Sequence, residues 1–521
     1  MKNKLTMVLA GACYALSFPF YGKLNLLPLV LISGIFYFKQ FLSDKYSLKK
    51  VIINTLIFCW AYNLIGYYWL TFTLQEFGGL FFPFNALLWQ GFSLIIAPQF
   101  YIFAIVFYFI NKYRSGYISS PYFSTSLAFL WVIIEYFTPQ QFPAHFGHPW
   151  LQIAPYLKLA HYFGAPIYGF ITILLSLSVA KFHKYRRIEK LDFTIAITLI
   201  ALNFALGKIE EPKTSKTINT RFVQANIGND LKLKSEGGIQ LARNEVIDIF
   251  RELSHQDSYI GDIDLTIWPE TAYPKYLMTK RSTKVPSDLE EIIRAKGGKY
   301  FVGTYDLAHF RQTSYEQAYN TAILIDQNSK ITQTYHKRVL IPFGEGLPFG
   351  SLNERIAPLV ENISFFAKGE NFTFFKLTND SSFISLICYE ILFPEYLRDY
   401  LNSSNTRPSF MINLTNDSWY GPYAEQEQHL FLAKWRSVEF NLPMLRSTNT
   451  GISSYILGNG LEVKRLGNFE QGNLDVKVSL SKTEATTYQK YGMIPLALLF
   501  LIMTLIRFIY LKNPLSKDHA S

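Results

Sequence analysis

Apolar residues follow two rhythms along this chain. Nearly continuous hydrophobic runs cover about 5–21, 26–42, 51–73, 84–110, 124–138, 159–181, 191–207 and 493–511. Each is near the roughly 20 residues that carry a helix across a bilayer. Pro19 and Glu135 interrupt or end the first and fifth runs. Between Gly207 and Tyr491 the apolar runs shorten to strand length and alternate with amphipathic stretches. The pattern therefore predicts a membrane domain of about seven helices over 1–207, an extramembrane domain over 208–490, and a final span with a short tail over 491–521.

Inside the central block, 221–226, 265–268, 300–303, 320–325, 331–335, 382–387, 410–414, 444–447 and 452–457 read as strands. The 3.6-residue period appears over 240–253, 287–296, 394–401 and 425–439, which read as helices. An Asp-Gln-Asn-Ser turn at 326–329 joins two strands as a hairpin. Strands alternating with helices indicate an α/β domain with sheets inside and helices outside.

Composition agrees with the division: 49% of the 521 residues are hydrophobic and 17% aromatic. The net charge of +11 is placed unevenly. With the N-terminus inside, loops and tails on that side carry Lys2, Lys4, Lys39, Lys45, Lys49, Lys50, Lys112, Arg114, Lys181, Lys184, Arg186, Arg187, Lys190, Lys512 and Lys517. The short loops opposite carry Lys23 and Lys158. By the positive-inside rule the central block lies outside the cytoplasm, so the positive charge is not a nucleic-acid footprint. The N-terminal Lys2 and Lys4 before an apolar run imitate a signal peptide, but no small-x-small cleavage site follows, and an uncleaved span is the reading adopted.

Cys13 and Cys59 fall in predicted spans, which leaves Cys388 as the one thiol of the outer domain. Such a thiol is either inert and buried or kept for chemistry. It ends a strand-like run, Phe383-Ile-Ser-Leu-Ile-Cys388-Tyr-Glu390. Two other strand ends carry Trp268-Pro-Glu270 and His336-Lys337-Arg338, the latter before Ile341-Pro-Phe-Gly-Glu345. A thiol is only slightly ionised at neutral pH, so an acyl-accepting cysteine needs a base, and the oxyanion it creates needs positive charge. Taken singly, Glu270 reads first as a solvated turn residue and Lys337 as a surface charge. No Cys/His ligand spacing is evident, and His309 and His429 stand alone, so no metal or other cofactor is expected.

The order of these pieces resembles the carbon–nitrogen hydrolase (nitrilase) superfamily and its Glu-Lys-Cys triad. Val223-Gln224-Ala-Asn226-Ile227, Tyr319-Asn320-Thr321, Asn416-Asp-Ser-Trp-Tyr-Gly421 and Leu445-Arg-Ser-Thr-Asn449-Thr-Gly451-Ile452 extend the resemblance. With spans on both sides, the chain looks like the superfamily's inner-membrane branch, which finishes bacterial lipoprotein maturation. The resemblance implies an αββα sandwich fold, with Cys388 as nucleophile, Glu270 as base and Lys337 as oxyanion partner. Glu345 would assist, and Tyr389 and Glu390 would shape and brace the nucleophile turn, with Glu390 open to a chemical role or to that of a structural salt-bridge partner. It further implies a phosphatidylethanolamine-like phospholipid donor and diacylglyceryl apolipoproteins as acceptors, with the catalytic domain periplasmic. One departure is Leu231-Lys232-Leu233, where the family typically has Leu-Lys-Trp. The greasy stretch 345–367, including Phe349, Leu359, Phe365 and Phe366, reads as a lipid-contacting lid or as a segment packed on its own domain. A membrane-tethered amidase using the same triad is the alternative activity, and a non-catalytic lipid-binding scaffold is a third.

Overall fold

The computed structural model describes residues 2–19, 26–42, 47–76, 78–113, 118, 120, 122–186, 190–212, 216–307, 318–347, 349–356 and 365–512. It divides into two compact units, one of residues 1–71, 81–209 and 486–521, the other of residues 72–80 and 210–485.

The first unit is helical: Lys2–Leu16, Pro28–Phe38, Leu48–Gly66, Phe84–Phe92, Pro98–Tyr113, Phe123–Phe137, Pro166–Tyr185, Lys190–Ala205 and Ile494–Lys512 are its longer helices. Rings of Tyr14, Tyr37, Phe38, Phe100, Phe103, Trp131 and Phe146 pack edge to face in its core. Leu48–Gly66 and Pro166–Tyr185 are long and apolar enough to cross a membrane, and Pro28–Leu42, Phe123–Phe137 and Ile494–Ile509 are shorter apolar helices. The run expected over 84–110 is not one helix. It breaks at 93–97 because Pro98 removes a donor and pushes Ala97 out of the helical region. In the C-terminal helix, Arg507 is held by Asp192 and donates to Thr125 Oγ1 at 2.8 Å.

The second unit holds two sheets. Its strands are β1 Thr217–Gln224, β2 Leu265–Trp268, β3 Tyr276–Leu277, β4 Lys299–Leu307, β5 Ala318–Ile325, β6 Ile331–His336, β7 Phe375–Lys376, β8 Ser382–Ile387, β9 Phe410–Thr415, β10 Met444–Thr448, β11 Ser453–Ile456, β12 Glu462–Leu466 and β13 Gly472–Ser479. The first sheet runs β13-β1-β2-β4-β5-β6 with β3 beside β4, and the second runs β12-β11-β10-β9-β8-β7. β1, β2 and β4 are parallel, as are β8, β9 and β10. Parallel strands need cover on both faces. Between the sheets, Phe301 of β4 meets Phe375 and Phe383 edge to face at 4.9 and 5.0 Å. On the outer face of the first sheet, Val246 and Phe250 of helix Gln240–His255 and Ile292 and Ile293 of helix Ser287–Lys296 join Trp268 and Tyr300 in one buried cluster. The domain is thus the α/β sandwich expected from its strand and helix pattern.

Four strands escaped that pattern: β3, β7, β12 and β13. The last is the most instructive, because its partner β1 is some 250 residues away and pairs over its full length. Asp475 of β13 is a poor strand former, but buried Arg221 of β1 grips it through two hydrogen bonds of 2.8 Å. The helix Asn229–Glu236 was also missed. The segment Phe72–Leu80 groups with this unit although the expected span 51–73 runs into it. Its Phe72 ring lies 5.7 Å from that of Tyr423, and Thr73 Oγ1 donates to the Trp419 carbonyl at 3.2 Å.

Candidate functional site

Parallel sheets present their strand C-termini along one edge, and three strand ends deliver Glu270, Lys337 and Cys388. β2 runs through Trp268 into Pro269-Glu270, which it can do only because β4 is a glycine away. A Cβ on Gly303 would lie 2.1 Å from the Pro269 carbonyl oxygen. β6 ends at His336, so Lys337 follows, and its N–H donates to the Asn320 carbonyl of β5 at 2.8 Å. β8 ends at Ile387, and Cys388 turns into the left-handed region at φ +51°. That conformation is costly for a residue with a Cβ and survives only where its surroundings enforce it.

The enforcement comes from Glu390, which is fully buried. One of its carboxylate oxygens accepts from the N–H of Ile387 at 2.8 Å and from the Tyr335 hydroxyl at 2.8 Å. The other accepts from the N–H groups of Arg338 and Val339 at 2.7 and 3.0 Å. One carboxylate therefore staples the Cys388 turn to the chain just beyond Lys337. The partners of Glu390 are thus backbone donors and a phenol.

Lys337 is fully buried, unlike the surface lysine its neighbours suggested. Its ammonium contacts both oxygens of Glu345 at 2.8 Å and Glu270 Oε1 at 3.2 Å. Asn320 Nδ2 bridges the two carboxylates, at 2.8 Å from Glu270 and 3.2 Å from Glu345. The N–H of Asn416 donates to Glu270 Oε2 at 2.8 Å, and that of Ile341 to Glu345 Oε2 at 3.0 Å. Burial raises the Glu270 carboxyl above its ordinary range; Lys337 pulls it back and Glu345 pushes it further up. The Cys388 thiol is likewise raised, by burial first and then by the negative charge of Glu270, with Lys337 opposing. The resting cysteine thus holds its proton beside a carboxylate with raised proton affinity. Asn320 and Asn416 stood in recognised sequence motifs, but nothing local told that they would hold the carboxylates.

His429 is not solitary, contrary to the sequence reading. Its Nδ1 lies 3.2 Å from Asp417 Oδ1 and 3.7 Å from Glu425 Oε1, and Arg446 reaches Asp417 Oδ2 at 2.8 Å. Asp417, Glu425 and His429 have the spacing of metal ligands, with donor atoms within 4.8 Å. Their chemistry fits a metal poorly, because the fully buried Arg446 already neutralises Asp417 and would repel a cation. Arg446 also donates to Asn413 Oδ1, whose Nδ2 lies 3.5 Å from the Cys388 carbonyl. The group reads as a support for the strand that ends at Cys388. His309 lies outside the described residues.

The lid residues divide. Phe349 is 44% exposed and packs edge to face on Phe343, itself 59% exposed. Phe366 is docked on the domain: its N–H donates to the Glu345 carbonyl at 3.1 Å and its ring stacks on Tyr305 at 5.9 Å. Phe365 beside it is half-buried, and Leu359 lies outside the described residues. Phe366 thus makes the contacts of a segment packed on its own domain, through its backbone bond to the Glu345 segment. Tyr389, mostly buried, packs edge to face on Phe393 at 4.8 Å.

Residues 221–488 match the carbon-nitrogen hydrolase family model, and residues 10–178 match that of the apolipoprotein N-acyltransferase N-terminal domain. The chain belongs to the carbon-nitrogen hydrolase family. Within it, the second match and the full-length relatives place the chain among the apolipoprotein N-acyltransferases. An enzyme of that name from Haemophilus ducreyi is 26% identical over 458 residues, 85% of each chain. Another from Photobacterium profundum is 27% identical over 94% of this chain and 92% of its own. A third, from Rhodopseudomonas palustris, is 31% identical over 57% of this chain and 55% of its own.

Proposed function

We propose that the protein moves an acyl chain from a phospholipid to the N-terminal amine of a diacylglyceryl apolipoprotein, through a thioester on Cys388. The observation that carries this reading is the buried Glu270–Lys337–Glu345 cluster beside a thiol held in a strained turn at a strand end. Glu270 takes the Cys388 proton as the sulfur attacks the ester carbonyl. The new C–S bond makes a tetrahedral oxyanion, with Lys337 as its nearest cation and the Tyr389 N–H as a second donor. Collapse breaks the ester C–O bond, and the proton on Glu270 leaves with the lysophospholipid alkoxide. The acceptor amine then attacks the thioester, forming a C–N bond and breaking C–S, while its proton passes through Glu270 back to sulfur.

The helices of the first unit, with the final helix Ile494–Lys512, would sit in the bacterial inner membrane, and the uneven Lys and Arg placement would put the catalytic domain on the periplasmic side. We take the domains as 1–207, 208–490 and 491–521, and exposed Phe343 and Phe349 as lipid-facing. Phosphatidylethanolamine-like lipid is the donor favoured. Water in place of the amine would make the protein an amidase-like hydrolase, and the triad alone does not distinguish the two. Lysophospholipid release by purified protein, with and without a diacylglyceryl lipopeptide, does. Sustained release only with acceptor supports transfer; equal sustained release without it contradicts transfer.

A further inference from the structure

Lys232 belongs to no part of the triad, yet it is 14% exposed and fully engaged. Its ammonium donates to the Thr271 carbonyl at 2.9 Å and to Thr271 Oγ1 at 2.8 Å, and it pairs with Glu236 at 3.1 Å. Three partners use its three N–H bonds, so no donor is left for a ligand. Glu236 is held in turn by the Tyr305 hydroxyl. The space at this point, bordered by Lys232, Thr271, Glu270, Ile227 and Asn449, is a cavity of about 10 Å³. It has room for no more than one water and none for a lipid.

Thr271 directly follows Glu270 and sits at φ +47°, in the left-handed region that a β-branched residue adopts only under constraint. The constraint is Lys232, which grips that residue by carbonyl and hydroxyl together. If Thr271 relaxed toward ordinary φ, the Glu270 backbone would turn with it. The carboxylate would then leave the Asn416 N–H at 2.8 Å and the Lys337 ammonium at 3.2 Å.

We propose that Lys232 is a positioning residue for the base, acting through the Thr271 peptide and not by contact with substrate. The proposal rests on the reading of Glu270 as base. It assigns a task to the lysine of Leu231-Lys232-Leu233 that does not depend on the missing tryptophan.

The test uses the full-length protein in phospholipid-containing micelles, with single-turnover lysophospholipid release followed against pH and donor concentration. Lys232→Met should slow acylation about ten- to a hundredfold, as expected for a misplaced reacting group. The donor concentration at half-saturation should stay unchanged, and the acid limb of the pH profile should move. Lys232→Arg, which still donates, should recover part of the rate. Glu236→Gln, which keeps the fold of the helix, should slow acylation about threefold and stands in if Lys232→Met does not fold. An unchanged rate in a folded Lys232→Met, or an unchanged rate in Glu236→Gln where that variant stands in, overturns the proposal. So does a loss residing wholly in half-saturation, which would make Lys232 a substrate-binding cation. Glu270→Gln, run in parallel, separates the two readings. If it acylates normally, the base assignment falls and this proposal with it; if it is inactive while Lys232→Met is normal, the Lys232 proposal alone falls.

Discussion

Two buried ionic clusters bear on the same thiol and are built on the same count, two carboxylates to one cation. In one, Lys337 lies between Glu270 and Glu345. In the other, Arg446 holds Asp417 while Glu425 lies near His429. The cations set their behaviour apart. Arginine keeps its proton in any protein and presents a rigid fork, so Asp417 stays ionised: burial alone would raise its carboxyl, but Arg446 and His429 outweigh burial and hold it below the usual range. Glu425 faces no comparable donor, and burial followed by the charge of Asp417 pushes it well up. In that cluster it is the charge of Asp417 that is fixed. Around the lysine, Glu270 receives donors from Asn320, Lys337 and Asn416 and still has raised proton affinity. It can both hold a charge and accept a proton. A scaffold cluster and a reactive cluster thus differ less in how many charges they bury than in which cation they bury.

The contrast can be broken most sharply at its reactive side. Glu270→Gln should lower the single-turnover acylation rate about a hundred- to a thousandfold with little change in melting temperature. Raising the pH should restore part of the rate, because thiolate then forms without a base. Arg446→Met should do the reverse. It leaves Asp417 buried without its guanidinium partner, so stability should fall by about 3–5 kcal/mol in denaturant titration. Asp417 has a depressed carboxyl, so the stability it contributes is present above its unfolded value of about 3.9 and lost as pH falls through the lower folded one. The penalty of Arg446→Met should therefore be full at neutral pH and shrink below about pH 4. Comparable rate losses at unchanged stability in both variants would dissolve the distinction between clusters.

A third expectation concerns the wild-type pH profile. Glu270 must be ionised to act, and burial raises its carboxyl, so acylation should rise with pH through a limb above the ordinary glutamate value of about 4.3. A limb at or below that value would remove the raised base from the account. The smallest effect is expected at the rim. Phe349→Ser should raise the donor concentration at half-saturation a few-fold, about 1 kcal/mol of lost apolar contact, with the saturated rate unchanged. A drop in the saturated rate would instead draw Phe349 into the chemistry.

The positions of Glu270, Lys337 and Cys388 were legible in the chain itself because they follow strands whose apolar runs are local signals. Helix Ser287–Lys296 and the hairpin β5–β6 were visible for the same reason, amphipathic period and turn chemistry being properties of neighbouring residues. What escaped depends on distant partners. β13 looks polar until Arg221 is set against Asp475, and His429 looks solitary until the turn at Asp417 is folded back onto it. Asn416 holds Glu270 by its backbone N–H, a contact that no side-chain pattern encodes. The hydrophobic run over 84–110 misled in the opposite sense, since composition suggested continuity where Pro98 forbids it.

The central claim is that Cys388 carries the acyl group. Intact-protein mass spectrometry after incubation with phospholipid, without acceptor, tests it directly. The account predicts one acyl adduct, mapped to Cys388, absent from Cys388→Ala and discharged when a diacylglyceryl lipopeptide is added. Transfer to the lipopeptide by Cys388→Ala, or an adduct on another residue, would contradict it.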